Sequence, residues 1–395
     1  MHLLESYALN TGLKIDKPYI MEAFFPLASQ AKYITFQPYS KESKNYEYWK
    51  DVLDLLEPSL TKNRINVMQL GSREERHVPG TYDLRGRTTI NQMAYLIKNS
   101  VLHLGTDSCA VHIASGYDKK IVALYNIMHP TECGPYWSKK NRVRLLEPER
   151  AEGEHPSYSN IESPKTINKI RPEDIARNVA ELLDLDFSFP YKTLYMGPKF
   201  NRKKVELIPE SWMENTDALN IDSLIIRMDL DFNEKSMTQQ LVRGPCSIVT
   251  NKEINAGLVS SLKKNIREFV YIVDEHTNGD YLTTIKELGV NLLIMSDKEG
   301  EDLDDIKLKF LDFGKIHPIE LPTKESIKEL DGKDIEKLYF RSNTFSIKGE
   351  FCYASKDSSF YSAPVENIAK CPIQPVIDSK EFWEESEHYW ILEKA

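Results

Sequence analysis

The sequence predicts an α/β protein built from two Rossmann-like domains, and three observations carry that expectation. Short apolar runs of strand length alternate with amphipathic runs of helix length through most of the 395 residues. Polar loops follow the runs of strand length, as at the carboxyl edge of a parallel sheet covered on both faces. The pattern breaks around Asp186 to Pro190 and then resumes. Two domains are therefore expected, 1–187 and 188–395, a division the length accommodates.

In chain order, residues 1–30 start as a helix with Leu3, Leu4, Tyr7 and Ala8 on one face, then become loop around Pro18 and Pro26. Tyr33 to Gln37 is the first clear strand, followed by a polar loop and a helix from about Glu47 to Leu56. Asn66 to Leu70 is the second strand, and Tyr82 to Gly86 reads as a short third. Thr89 to Lys98 is a helix with Ile90, Met93, Ala94 and Ile97 inward, because these positions repeat at helical spacing. Residues 147–163 are rich in Pro, Ser and Glu without apolar periodicity and read as loop; Pro172 to Leu185 reads as helix.

In the second half, strands are expected at 224–228, 247–250, 269–273 and 291–295, with helices near 253–264, 279–288 and 302–312. From Leu338 the runs Tyr-Phe-Arg, Phe-Ser-Ile and Glu-Phe-Cys-Tyr read as β-hairpin material, and 381–391 as a Trp-rich helix or packing arm.

The centre of the chain is Ser100 to Tyr125. It reads as an apolar strand, a Gly-Thr-Asp-Ser turn, a helix and a second apolar strand. Asp107 or Ser108 is placed to cap the helix. Free N–H groups and the helix dipole make such a start an anion site. Asp107 adds a carboxylate and His112 an imidazole, a set suited to a ligand with phosphate at one end and hydroxyls at the other. A nucleotide sugar is such a ligand.

Composition narrows the classes. An apolar content of 41% and a charged content of 28% fit a soluble globular chain, and no run reaches the length of a membrane span. The first residues show neither a basic region nor a long apolar segment, so a cytoplasmic location is expected. Five cysteines lie far apart with no Cys-x-x-Cys pair, against a disulfide framework or zinc cluster. Net charge of −9 disfavours non-specific nucleic-acid binding by the whole molecule. No Gly-x-Gly-x-x-Gly follows a strand, against a doubly wound dehydrogenase.

Five segments in order resemble the donor-binding half of the heptosyltransferase-like glycosyltransferases, over about Tyr33 to Trp137. They are Gln37-Pro-Tyr-Ser-Lys-Glu-Ser-Lys44-Asn-Tyr, Leu70-Gly-Ser-Arg-Glu-Glu75, Leu84-Arg-Gly-Arg-Thr-Thr-Ile-Asn-Gln-Met-Ala, Gly105-Thr-Asp-Ser-Cys-Ala-Val-His112-Ile-Ala, and Thr131-Glu-Cys-Gly-Pro135. The resemblance implies a GT-B, metal-independent, inverting transfer from a nucleotide-diphosphate sugar, with no other cofactor. It places Ser40, Ser43 and Lys44 on the diphosphate, Glu74 or Glu75 on the ribose, and Arg87 and Thr88 beside the base. Asp107, Ser108 and His112 meet the sugar or the β-phosphate. A cation and helix amides there would stabilise the charge that develops on the departing diphosphate.

The chain departs from the family twice. Cys109 stands where the family has a glycine, and only about 30 residues precede the donor half, where the family carries its acceptor half and its base. Ser223-Leu-Ile-Ile-Arg-Met-Asp229-Leu-Asp231 is similar to the start of the family's acceptor half, which implies a permuted order with Asp229 or Asp231 as general base. The expected partners are a nucleotide-sugar donor and a hydroxyl acceptor, glycan or lipopolysaccharide-like. Between Lys333 and Tyr361 cations interleave with aromatics, the pattern of a hairpin with one solvated face. The same pattern can hold nucleic acid, in which case the acceptor is a hydroxylated DNA base. A sugar-nucleotide-binding module without catalysis is the alternative from another class.

Overall fold

The computed structural model describes residues 1–27, 32–209, 221–314, 316–318, 327–328, 330–361, 364, 377, 379, 382–383 and 385–395. The chain divides into two compact units, Met1–Pro190 and Tyr191–Ala395, each described by itself.

The first unit opens with α1 (Leu3–Thr11), whose start is closed by a capping box between His2 and Glu5. Then follow β1 (Lys32–Gln37), α2 (Trp49–Lys62), β2 (Ile65–Gln69), β3 (Tyr82–Asp83), α3 (Ile90–Asn99), β4 (Leu102–Thr106), α4 (Cys109–Gly116), β5 (Ile121–Leu124), α5 (Pro130–Cys133), β6 (Val143–Leu146) and α6 (Pro172–Leu183). The capping box of Thr89 and Gln92 starts α3 one residue into the expected helix. The six strands lie in the order β3-β2-β1-β4-β5-β6. All neighbours are parallel. Strands run outward from β1 to β3, then the chain crosses back to β4 on the other side of β1. This is the Rossmann order, and its crossover point lies between the carboxyl ends of β1 and β4. Helix faces close over the sheet through Met93, Leu96 and Ile97 of α3 and Ala110, Val111 and Ala114 of α4, packed with Tyr33, Met68 and Ile121.

Gly105 shows why β1 and β4 can sit so close where the site forms. A Cβ there would stand 2.3 Å from the Gln37 carbonyl oxygen, so only glycine fits.

The second unit has β7 (Tyr191–Met196), β8 (Lys204–Leu207), β9 (Ser223–Arg227), α7 (Glu234–Arg243), β10 (Cys246–Thr250), α8 (Ala256–Leu262), β11 (Ile266–Ile272), α9 (Gly279–Glu287), β12 (Leu292–Ser296), α10 (Gly300–Lys309), β13 (His317–Pro318), β14 (Leu338–Ser342), β15 (Thr344–Lys348), β16 (Phe351–Tyr353), α11 (Ser358–Tyr361) and β17 (Tyr389–Lys394). Its main sheet has the order β13-β12-β11-β10-β9-β8-β15-β16. It is parallel from β13 to β15, with β16 antiparallel at the edge. Right-handed crossovers stepping one way from β8 put α7 to α10 on one face. Met237, Leu241, Val259, Leu282, Ile285, Leu303 and Ile306 accordingly share one core with Val205, Leu207, Leu224, Ile226 and Ile248. Both units thus have the Rossmann-like α/β architecture that the alternation predicts.

Several expectations change in detail, and Ile90, expected inward on α3, is exposed at the first turn of the helix. Helix α7 lies outside the expected helices, because Glu234–Arg243 is strongly polar and buries only Met237, Gln240 and Leu241. Of the hairpin material, β15 and β16 do pair antiparallel, whereas β14 pairs with β17 in a separate three-stranded sheet, β14-β17-β7. The last residues of the expected helix or arm are therefore strand, and Tyr389, Trp390, Ile391 and Leu392 are all buried. Glu381 and Glu384 of that stretch, and Cys371, lie outside the described residues. The other four cysteines are free thiols.

Candidate functional site

The polar loop after β1 turns through a short 3-10 segment, Glu42–Lys44, that carries Lys44 over the carboxyl edge of the sheet. Neighbours hold this turn from several sides. The Ser43 hydroxyl donates to the Ser159 carbonyl at 3.1 Å, and Asn126 Nδ2 donates to the Ser43 carbonyl at 2.7 Å. Lys165 Nζ lies 2.6 Å from Glu42 Oε1 and 3.2 Å from Glu47 Oε1. Ser43 is fully buried, so its hydroxyl is engaged inside the fold, while Ser40 is exposed and its N–H donates to Asn45 Oδ1 at 2.8 Å.

Asp107 leaves β4 with its N–H donating to the Leu124 carbonyl at 3.0 Å. Its side chain is 9% exposed, and one carboxylate oxygen accepts from Lys44 Nζ. The other oxygen stands 4.0 Å from His112 Nε2. Burial pushes the His112 imidazole below its ordinary value, opposed by Asp107 and reinforced by His2 and Lys44. The ring is therefore neutral at neutral pH, with one nitrogen able to accept a proton.

The expected helix cap takes a different form. Ser108 occupies the cap position of α4 but no side chain caps the helix. The Ser108 hydroxyl donates instead to Gln37 Oε1 at 3.4 Å, and Asp107 is turned to Lys44. The first amides of α4 are thus left without a side-chain acceptor, next to a lysine.

On the other side of β1, Glu75 folds back over Gly71. A Cβ at Gly71, whose φ is +137°, would meet Glu75 Oε2 at 2.0 Å. Burial raises the Glu75 carboxyl, with Arg85 and the Ser72 backbone acting the other way. Glu74 is exposed, and Arg87 and Thr88 follow in the turn after β3, which Gly86 ties to Gly71 through a 2.8 Å backbone bond.

Four buried polar atoms around this edge find no hydrogen-bond partner among the described residues: Glu75 Oε2, Thr106 Oγ1, Tyr125 Oη and Asn126 Oδ1. They follow β2, end β4 and follow β5, and so bracket the crossover point. Buried polar atoms are nearly always paired in native proteins, so this concentration at one sheet edge is unusual.

The structure therefore brings Lys44, Asp107, Ser108 and His112 together and sets Glu75 across β1 from them. Sequence reasoning missed Asn126, Glu162 and Lys165. Asn126 Nδ2 also donates to Glu162 Oε2 at 2.8 Å, and that oxygen accepts from Thr166 N at 2.9 Å. Glu162 and Lys165 sit in a polar stretch, whereas Asn126 interrupts the apolar run 121–128 just past a strand, and only those positions could have drawn attention to them.

Asp229 and Asp231 belong to the second unit, just after β9. Arg227 grips Asp229 twice, Nε to Oδ1 at 2.9 Å and Nη2 to Oδ2 at 2.7 Å. Asp231 is half-buried, and its backbone N–H donates to the Arg227 carbonyl at 3.4 Å. Among the described residues no three His, Cys, Asp or Glu side chains group as a metal centre, and no helix is long and apolar enough to cross a membrane.

A Rossmann-ordered sheet with a Lys–Asp–His set at its crossover point defines a Rossmann-type α/β unit. Within that class, residues 7–160 are heptosyltransferase-like: they match the model of glycosyltransferase family 9 (heptosyltransferase). Among solved structures, the E. coli ADP-heptose lps heptosyltransferase II is 20% identical, with 45% of this chain and 50% of that chain covered and a TM-score of 0.32. The glycosyl transferase family 9 protein from Veillonella parvula is 17% identical, covering 45% and 50%, with a TM-score of 0.31. The E. coli heptosyltransferase WaaC with ADP is 12% identical, covering 45% and 54%, with a TM-score of 0.31. The chain spans about half the length of these structures. No curated protein matches it.

Proposed function

We propose that the chain is a glycosyltransferase of GT-B type that binds a nucleotide-diphosphate sugar at the carboxyl edge of the first sheet. The observation that carries this reading is Asp107, held between Lys44 and His112 at the crossover of a Rossmann-ordered sheet. The family match over residues 7–160 supports it independently. In this reading Lys44, helped by Ser40, Ser43 and the α4 amides, takes the diphosphate. Lys44 then exchanges the Asp107 carboxylate for phosphate oxygen, which frees Asp107, with Ser108 and His112, to accept from sugar hydroxyls. Glu75 or Glu74 takes the ribose, and Arg87 and Thr88 flank the base.

Transfer is inverting and metal-independent in this proposal. The acceptor O–H gives its proton to a carboxylate, Asp229 or Asp231, as its oxygen bonds to the anomeric carbon. The bond from that carbon to the diphosphate breaks, and the nucleoside diphosphate leaves with the electron pair. Of the two aspartates, Asp231 is the freer, since Arg227 holds both oxygens of Asp229. The acceptor is a glycan, lipopolysaccharide-like, or a hydroxylated DNA base, and the setting is cytoplasmic.

The test is to incubate the chain with ADP-, GDP- and UDP-sugars and measure binding by thermal shift and nucleoside diphosphate release. One donor should raise the melting point in the wild type and not in Asp107→Asn. The same donor should be turned over once acceptor is supplied. Absence of any D107N-sensitive shift would sink the donor site. The family model covers residues 7–160 alone, which favours one second reading, a sugar-nucleotide-binding module without catalysis. A D107N-sensitive shift with no release from any donor and acceptor pair would select it.

A further inference from the structure

Beyond β6, the loop of the first unit presents an aromatic ring to solvent and holds it from both ends. Tyr158 is 57% exposed, yet its backbone sits in the left-handed region at φ +51°, which a bulky side chain rarely adopts. Two sets of contacts keep it there. Its N–H donates to the Ile127 carbonyl at 3.0 Å, and its Oη stands 3.4 and 3.3 Å from the two carboxylate oxygens of Glu132. The next residue, Ser159, accepts the Ser43 hydroxyl at 3.1 Å, so the ring lies one position from a contact to the Lys44 turn.

Polar groups adjoin the ring. The Glu132 N–H donates to the His129 carbonyl at 2.9 Å, which sets these two residues at the ends of one tight turn. The His129 side chain is 35% exposed, and its Nδ1 lies 3.0 Å from Glu147 Oε1. An ionised carboxylate only accepts, so Nδ1 carries the proton and Nε2 keeps a lone pair, which has no partner among the described residues. Arg150 is already engaged, through Nη1 with Glu147 Oε1 at 3.1 Å and through Nη2 with the Asn126 carbonyl. The rim thus offers an open aromatic face, two carboxylates and an imidazole acceptor.

These groups select by charge and by shape. The carboxylates repel a ligand that carries phosphate or carboxylate. The negative face of an aromatic ring takes the weakly positive C–H face of another ring, and acceptors beside it take hydroxyl protons. A sugar ring without acidic groups presents both. We propose that Tyr158, Glu132 and His129 form a platform for an uncharged sugar ring beside the donor site. The tether to Glu132 and the fixed backbone orient the aromatic face before the sugar arrives, so little ordering is lost on binding. In that position the sugar is the acceptor, a glycan rather than a DNA base. That role rests on the transferase reading above; the binding of the sugar does not.

The experiment is saturation-transfer NMR and titration calorimetry on the full chain, with the methyl glycosides of D-glucose, D-mannose and D-galactose and their neutral di- and trisaccharides. Inorganic phosphate, D-glucuronate and a single-stranded oligonucleotide serve as charged comparators. At least one neutral sugar should bind, and Tyr158→Ala should weaken it about tenfold. Tyr158→Phe keeps the aromatic face and should bind at least about threefold better than Tyr158→Ala. In turnover, Tyr158→Ala should raise the acceptor KM while the donor-induced rise in melting point stays at the wild-type value. The inference falls if no neutral sugar binds, if binding survives Tyr158→Ala, if Tyr158→Phe is as weak as Tyr158→Ala, or if Tyr158→Ala weakens a charged comparator more than any neutral sugar. Turnover indifferent to Tyr158→Ala would overturn the platform and leave the transferase reading standing. Tyr158-dependent sugar binding without nucleoside diphosphate release would keep the platform and remove its acceptor role.

Discussion

Asn126, one residue past Tyr125, donates through Nδ2 to the carbonyl of Ser43 at 2.7 Å, across 83 positions of sequence. The bond ties the loop after β5 to the turn that carries Lys44. The position of the lysine is therefore set by a neighbouring strand as well as by its own loop.

Asn126→Ala should loosen that turn. It removes a donor shared by the Ser43 carbonyl and Glu162, and a lost buried hydrogen bond costs about 1–3 kcal/mol. Chemical denaturation should show that loss, and nucleotide-sugar affinity should fall with it. Unchanged affinity in a destabilised protein would separate the bond from the site.

Lys44→Met tests the charge that grips the diphosphate. Turnover should drop by roughly 10²–10³, the usual cost of removing one donor from a developing anion. Removal also leaves Asp107 unpaired at 9% exposure, so Lys44→Met with Asp107→Asn should be more stable than Lys44→Met alone. Denaturant midpoints of the three proteins check this.

Acid should weaken the first unit through His103. This ring is fully buried beside Thr35, and burial lowers its pKa from 6.5 to about 3. The unfolded chain therefore binds the proton that the folded chain refuses. Stability from this group is complete above about pH 6.5 and is lost as pH falls toward 3, by about 1.4 kcal/mol per pH unit. His103→Gln should flatten the acid limb of a plot of unfolding free energy against pH.

Gly105→Ala should push β1 and β4 apart, since the added carbon would sit 2.3 Å from the Gln37 carbonyl oxygen. A cost of about 1–3 kcal/mol is expected from such overpacking. Donor binding should weaken more than in a control of equal instability made in α6, because only Gly105 lies at the crossover.

Arg227→Met should be severe in the second unit. It leaves Glu206, 2% exposed, with Lys204 but without the guanidinium, and takes both guanidinium bonds from Asp229, 8% exposed, for about 3–5 kcal/mol. Glu206→Gln in the same protein should recover part of the loss. A mild single variant would mean that water replaces the guanidinium.

Much of this was legible in the sequence for a local reason. Strand, turn and helix around Lys44 and Asp107 follow from periodicity and turn residues a few positions apart, and so do most boundaries in the first unit. The contacts that fix the site are not local. Lys165 reaches the turn across 118 positions to Glu47, in a stretch with no apolar rhythm to announce it. In the second unit, Thr344 and Ser346 look like ordinary strand-surface hydroxyls until β15 docks against β8. Strand β17 shows the same limit, since Tyr-Trp-Ile-Leu is apolar on every side and reads equally as helix. Its pairing with β7 across nearly the whole second unit decides the matter.

That pairing constrains the order of assembly on the ribosome. Because β17 is the middle member of β14-β17-β7, the first strand of the unit has no partner in its sheet until residues 389–394 have emerged. The Rossmann-ordered sheet in residues 1–190 has no such dependence and can be complete while the rest is still being made. Clipping the chain before Tyr389 should thus leave β7 and β14 without their shared partner and spare the sheet of residues 1–190.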